Sequence, residues 1–250
     1  RCDFPPPGTP VTCAVSGGAD SLALLVLAVE AGCSVTAVHV DHGLRPGSHR
    51  EADVVAAAAH RFGASFRSLR VEVAPGPNLE ARARVARFSV LPPDVCTGHT
   101  ADDQAETVLL NLLRGAGVPG LAAMRRGPRH PILGLRRHET RALCAELGLE
   151  PIVDPMNEER AFARVRVRHE LIPLMSDIAA RDVVPLLARQ SELAADVADL
   201  LDEIGRDVDP TDASAVASAP VAVARWVLRE WIRATTGSAH PVDAASLQRA

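Results

Sequence analysis

The run Ser16-Gly17-Gly18-Ala19-Asp20-Ser21 decides how the rest of this chain is read. It stands between two apolar stretches, residues 11–15 and residues 22–29. The first has the length of a buried strand and the second that of a helix. A glycine pair between strand and helix lets the backbone turn tightly and lets a ligand approach with no Cβ in the way. The N–H groups of the first helical turn, at the positive end of the helix dipole, make an anion site. Ser16 and Ser21 add hydroxyl donors, and Asp20 can hold a magnesium ion against a phosphate. A Ser/Gly turn that merely caps a helix needs less than this. A phosphate loop built around a lysine is excluded, because all 27 basic residues are Arg. The turn at Ser16–Ser21 does not carry the GxGxxG dinucleotide fingerprint either.

Strand and helix patterns alternate outward from this turn. Residues 35–40 read as a strand and residues 50–62 as a helix that Gly63 stops. Residues 65–73 form the next strand, Asn78 caps a helix running to about Val90, residues 95–98 form a short strand, and residues 102–113 a further helix. Apolar strands alternating with helices predict an α/β fold, a doubly wound parallel sheet covered on both faces. Ligands of such sheets sit at the carboxyl ends of the strands. The turn at Ser16, the segment after Val40 and the segment after Thr97 are therefore expected to converge on one crevice. Residues 115–134, rich in Gly, Pro and Arg, read as a connecting loop, and residues 139–147 as a helix closed by Gly148. Residues 154–168 read as a loop followed by the start of an Arg-rich helix. The C-terminal part reads as helical from Pro185 through Leu201, with a linker over residues 207–219 and a helix over residues 221–235. Residues 244–250 open a helix that stops mid-pattern, so the chain is expected to be cut short.

Composition narrows the class. The 250 residues are 47% hydrophobic and 23% charged, the balance of a folded globular chain. There is no run of 18 apolar residues and no signal-peptide pattern, so a cytoplasmic protein without membrane attachment is expected. Five scattered cysteines without CxxC spacing fit reduced thiols rather than a disulfide frame, a zinc site or an iron–sulfur site. The net charge of −4 argues against a nucleic-acid partner, but its distribution argues differently. Residues 114–168 hold 11 Arg against six Asp and Glu, a local basic face on an acidic chain.

Five further motifs carry chemistry. His39-Val40-Asp41-His42-Gly43-Leu44-Arg45 follows a strand, and its polar residues exceed what a turn needs. In Thr97-Gly98-His99-Thr100-Ala101-Asp102-Asp103-Gln104-Ala105-Glu106-Thr107, Asp103 and Glu106 share one helix face near its N-terminus. Carboxylates decorate helix starts for the dipole's sake, yet beside a nucleotide loop such a pair suits magnesium or a cationic amine. Arg114, in Leu112-Leu113-Arg114-Gly115-Ala116-Gly117, ends that acidic helix and suits both a helix C-terminus and phosphate or transition-state charge. In Asn78-Leu79-Glu80-Ala81-Arg82-Ala83-Arg84 the i,i+4 pair is Glu80 with Arg84, and Arg87-Phe88 follows. Asp154-Pro155-Met156-Asn157 precedes Arg164-Val165-Arg166-Val167-Arg168-His169, where Arg164 and Arg168 share a face and Arg166 points elsewhere.

SGGADS resembles the pyrophosphate loop, SGGxDS, of the ATP-pyrophosphatase (PP-loop) superfamily, which implies an adenine nucleotide α-hydrolase-like fold and cleavage of ATP to AMP and pyrophosphate. All six motifs together resemble the tRNA(Ile)-lysidine synthetase family over roughly residues 11–173. The chain departs from that family's pattern at Val165, Thr100 and Phe88, where Asn, His and Tyr are usual. The resemblance implies that ATP adenylates the C2 oxygen of the wobble cytidine of an isoleucine tRNA with a CAU anticodon, and that free L-lysine then displaces AMP. It implies ATP binding by Ser16, Gly17, Gly18, Ala19, Asp20 and Ser21, and magnesium on Asp20 and Asp103. Arg114 would stabilise charge at the α-phosphate. Asp41 and Glu106 would bind the lysine ammonium, with a carboxylate or His99 taking a proton. Arg82, Arg164, Arg166 and Arg168 would meet tRNA phosphates. Residues 1–180 would form the PP-loop ATP-binding catalytic domain and residues 181–250 a smaller, truncated helical tRNA-substrate domain; a homodimer is left open. Three alternatives stand beside it. A 2-thiocytidine sulfurtransferase would carry paired CxxC cysteines, absent here. A small-molecule adenylating enzyme would lack the ADDQAETVLL–LLRGAG element. A non-catalytic ATP-binding module would not need the dense acidic and His positions.

Overall fold

The computed structural model describes residues 1–43, 49–73, 76, 79–152 and 162–236. Four parallel strands, β1 (Pro10–Ala14), β2 (Ser34–Asp41), β3 (Ser65–Arg70) and β4 (Cys96–Thr97), form a sheet in the order β3-β2-β1-β4. Val11 pairs with Val35 and Cys13 with both Ala37 and Cys96. The chain winds from β1 outward through β2 to β3, then crosses back so that β4 lies on the other side of β1. That reversal puts the carboxyl ends of β1 and β4 at a topological switch point, where open α/β sheets bind ligands.

Side-chain alternation explains why both faces are covered. Val11, Cys13, Val35 and Ala37 point to one face. There they pack with Leu22, Leu24 and Leu25 of α1 (Ala19–Glu30) and with Val55, Ala58 and Ala59 of α2 (His49–Arg61). Ala14, Val38 and Val40 point the other way, against Ala86 and Phe88 of α3 (Leu79–Ser89), with Leu91 and Val95. Leu22, Leu24 and Leu25 are fully buried, each contributing about 1.5–3 kcal/mol of transfer free energy. Strands buried on both faces read as continuous apolar runs, which is how β1 and β2 stand in the sequence.

Beyond β4 come α4 (Ala101–Leu113), α5 (Val118–Ala122) and α6 (Arg137–Glu146), which Gly148 follows with a positive φ of 61°. Then come α7 (Ala163–Arg166), a π-helical turn (Val167–Leu171), α8 (Ile172–Ile178), α9 (Val184–Gly205), α10 (Ala213–Ser218) and α11 (Val221–Thr236). Two stretches read as loop and linker contain short helices. In the first, Gly117 caps α5 and Pro119 sits in its first turn, where a missing N–H costs nothing. In the second, the Asp212 carboxylate accepts hydrogen bonds from the N–H groups of Ser214 and Ala215 at 2.8 and 3.3 Å and starts α10. The Asn78 cap, Leu44, Arg45, residues 154–157 and residues 244–250 lie outside the described residues.

The chain divides into two compact units, one of residues 1–107 and 124–185, the other of residues 108–123 and those from Leu186 on. Within the second, Trp226 donates its indole N–H to Asp202 at 2.8 Å, joining α11 to α9. Among the described residues no helix is long and apolar enough to cross a membrane.

Candidate functional site

The bend between β1 and α1 is held by its own serines. Ser21 Oγ donates to the Gly18 carbonyl at 2.8 Å, accepts from the Ser16 N–H at 3.2 Å and lies 3.2 Å from Ser16 Oγ. Gly17 takes a φ of 89°, a left-handed conformation that costs an L-residue roughly 1–2 kcal/mol. Its carbonyl accepts the Ile152 N–H at 2.9 Å, which ties the loop to a distant segment. Gly18 is the extended N-cap of α1 and offers no side chain there. Ser21 and Leu22 donate their N–H groups to the Gly18 carbonyl at 3.1 and 3.0 Å, and the N–H groups of Ala19 and Asp20 before them have no carbonyl of the helix within reach. Beneath the loop, His39 is buried on β2 with its Nδ1 3.0 Å from the Val15 carbonyl.

The turn after β4 is pressed against the same helix start. A Cβ on Gly98 would lie 2.7 Å from the Asp20 carbonyl oxygen and 3.0 Å from Ser21 Cα, so only glycine allows this approach. Thr100 donates both its N–H and its hydroxyl to Asp103 Oδ2 at 2.9 Å and caps α4. Gln104, also buried, clamps the Met124 backbone through both ends of its amide, at 2.8 and 3.1 Å.

Asp20, Asp103 and Glu106 meet on one guanidinium, that of Arg137. Arg137 donates to Glu106 at 3.0 Å and to Asp103 at 2.9 Å, and its Nε lies 3.6 Å from Asp20. Thr140, one turn on, donates its hydroxyl to Asp20. Glu106 is fully buried. It also accepts Arg164 Nε at 2.7 Å and two bonds from Arg168 at 2.7 and 3.1 Å. Arg164 reaches Asp103 as well, at 3.3 Å. Three carboxylates thus balance three guanidiniums, as burial of charge requires. Burial raises the Asp20 carboxyl above the usual range, and the Asp103 charge adds to this against the pull of Thr140 and Arg137. Burial opposes ionisation of Asp103 too, but Arg137 and Arg164 win and hold it low. His99 lies beside the cluster, pulled down to about 4 chiefly by burial.

The remaining expected site residues are placed as follows. Asp41 accepts the Gly43 N–H at 2.8 Å through Oδ1, a turn contact at the end of β2. The Arg82 guanidinium reaches the Gly76 carbonyl. Arg166 is exposed and pairs with Glu170 at 3.1 Å, on the face away from Arg164 and Arg168. Arg114 belongs to the second unit, exposed just past the last turn of α4. Arg136, Arg137 and Thr140 carry no expectation from sequence. Arg136 binds Asp102 at 3.0 and 3.2 Å and also meets Asp182. The available signal was charge balance: an acidic helix start without lysines needs arginines from elsewhere, and Arg136-Arg137 opens a helix.

A family model described as the PP-loop domain matches residues 5–175. The chain is 43% identical over 249 residues to the tRNA(Ile)-lysidine synthase of Nocardia farcinica, covering 93% of this chain and 78% of the relative. It is 41% identical over 239 residues to that of Mycobacterium tuberculosis, covering 88% and 74%. The chain belongs to the tRNA(Ile)-lysidine synthase family. Among solved structures, the U34-tRNA thiolase NcsA from Methanococcus maripaludis aligns with a TM-score of 0.61 at 18% identity, over 76% of this chain and 73% of that one. That likeness is one of fold.

Proposed function

We propose that this chain joins free L-lysine to C2 of the wobble cytidine of an isoleucine tRNA with a CAU anticodon, at the expense of ATP. Two steps follow. The C2 oxygen attacks the α-phosphorus of ATP and pyrophosphate leaves; the ε-amine of lysine then attacks C2 and AMP leaves. The observation that carries this reading is the meeting of Asp20, Asp103 and Glu106 on Arg137, beside a loop whose helix start suits phosphate.

Backbone N–H groups between Ser16 and Ser21 grip the pyrophosphate. Asp103 already accepts from Thr100, Arg137 and Arg164, so Asp20 and Asp103 would hold magnesium only in exchange for a guanidinium. Among the described residues no cluster of three or more His, Cys, Asp or Glu could hold a metal ion, so magnesium would have to come with the phosphates of ATP. Magnesium there would neutralise the leaving pyrophosphate. Arg114 is assigned to charge at the α-phosphate. Glu106 already accepts four N–H donors, so a lysine ammonium binds it only in exchange for a guanidinium. An arginine released in this way, Arg164 or Arg168, is free to meet an RNA phosphate. Asp41 offers the ammonium a second carboxylate at the end of β2. Arg82 and Arg166 are assigned to tRNA phosphates, and the helical C-terminal region to the body of the tRNA. Holding three substrates in line supplies much of the rate.

The test is incubation with ATP, radiolabelled lysine and total tRNA. The expected result is label in an alkali-resistant nucleoside, lost when the isoleucine tRNA is removed. Label that persists without ATP, or without that tRNA, would overturn the assignment.

A further inference from the structure

A hydroxyl between two imidazoles lies at the edge of the site, and one of the rings belongs to no motif. Thr97 Oγ1, at the end of β4, is 2.7 Å from His99 Nδ1 and 2.8 Å from His130 Nδ1. The rings meet edge to face with centroids 5.2 Å apart. Thr97 also reaches the Arg129 carbonyl, at the longer distance of 3.2 Å, and its own N–H donates to that carbonyl at 2.9 Å. His130 comes from the segment after α5, 31 positions beyond His99 in sequence but beside it in space.

Counting protons restricts what this trio can be. A hydroxyl has one hydrogen to give. At most one of the two Nδ1 atoms can accept it, so at least one ring carries its proton on Nδ1 and donates to Thr97. The tautomers of the two rings are therefore coupled through one oxygen. When the hydroxyl donates to His130, His99 is the Nδ1–H donor and its Nε2 holds a lone pair. A neutral ring in that tautomer is the form in which histidine takes a proton.

We infer that Thr97 and His130 are positioning residues that set the tautomer of His99, and that the Thr97 hydroxyl passes a proton from one ring to the other. The inference rests on the lysine-transfer reading above and concerns its second step. As the amine nitrogen bonds to C2 and the C2–O bond to AMP breaks, a proton of the amine moves to His99 Nε2. The Nδ1 proton of His99 moves to Thr97 Oγ1, and the hydroxyl proton moves to His130 Nδ1. His130 then sheds its Nε2 proton to water, so one proton has passed from amine to solvent and every group is restored with the tautomers exchanged. To reset, the proton on His130 Nδ1 passes back through the hydroxyl to His99 Nδ1 while His99 Nε2 gives its proton to solvent and His130 Nε2 takes one from water. The surroundings support neutral resting rings. Burial, with Arg84 and Arg164 against Asp103, lowers His99, and burial, with Arg129 and Arg84, lowers His130. His130 is only partly buried, which gives the chain its outlet to water.

The test has two arms. In the ligand-free protein, long-range nitrogen–proton NMR correlations should show His99 with its proton on Nδ1; a proton on Nε2 would overturn the inference. In the second arm, tRNA is adenylated without lysine and lysine is then added in a single turnover. Thr97→Val and His130→Ala should each slow lysine transfer about tenfold relative to pyrophosphate release, and Thr97→Ser should restore it. If transfer keeps pace with pyrophosphate release in Thr97→Val, or if Thr97→Ser is as slow as Thr97→Val, the relay is wrong while the lysine-transfer reading stands. If the wild-type chain forms no adenylated tRNA, it is the lysine-transfer reading that fails.

Discussion

At the scale of single residues, Glu106 is the most constrained group in the site. It is fully buried and accepts N–H donors from Arg137, Arg164 and Arg168. Buried ion networks are not automatically stabilising, but removing one partner strands the others in a medium that penalises unpaired charge. Glu106→Gln keeps the shape and removes the charge. It should cost about 3 kcal/mol in urea unfolding, read as a lower midpoint at unchanged slope. An unchanged midpoint would mean that the guanidiniums are solvated rather than packed. His99 provides a pH signature. Its folded pKa is lowered from 6.5 to about 4, mainly by burial. Above about pH 6.5 both folded and unfolded rings are neutral and its contribution is complete. As the pH falls toward 4 the unfolded ring binds a proton that the folded one refuses, so stability declines through that window. His99→Gln should flatten this part of the stability–pH curve. Asp103 behaves alike at lower pH: Arg137 and Arg164 keep it ionised, and its share is lost as the pH drops through its folded pKa.

At the scale of elements, one contact aligns the site. Gly98 brings the turn after β4 against the first turn of α1, with the Asp20 carbonyl 2.7 Å from where a Cβ would stand. The neighbour is backbone, so nothing flexible can yield. Gly98→Ala should push α4 away from α1, lower the melting temperature by several degrees and depress pyrophosphate release more than tRNA binding. A melting temperature and release rate equal to wild type would refute this alignment. The elements also show what a sequence carries. β1, β2, α1 and α4 were legible because strands buried on both faces and capped amphipathic helices leave periodic patterns. The helix α5 was not, because Gly, Pro and Arg dominate its neighbourhood and its five residues hold too little pattern. The helix α10 hides behind Pro210, yet Asp212 with Ser214 was a readable cap.

At the scale of the whole molecule, the carboxylates of the site were legible, as was the shared face of Arg164 and Arg168, but Arg137 was not. Asp20, Asp103 and Glu106 announce themselves by spacing within a motif. Arg137 joins them from 31 positions beyond Glu106, a pairing that local periodicity cannot express. Thr97 and His130 are joined in the same way across 33 positions. On the proposed mechanism a nucleotide's phosphates sit in the bend after β1 and Asp20 acts on them there. Its most direct test is pyrophosphate release from ATP in the presence of isoleucine tRNA, under single-turnover conditions, by Asp20→Asn beside the wild type. The account predicts release slowed by about a hundredfold or more with tRNA still bound. Release at the wild-type rate would contradict it.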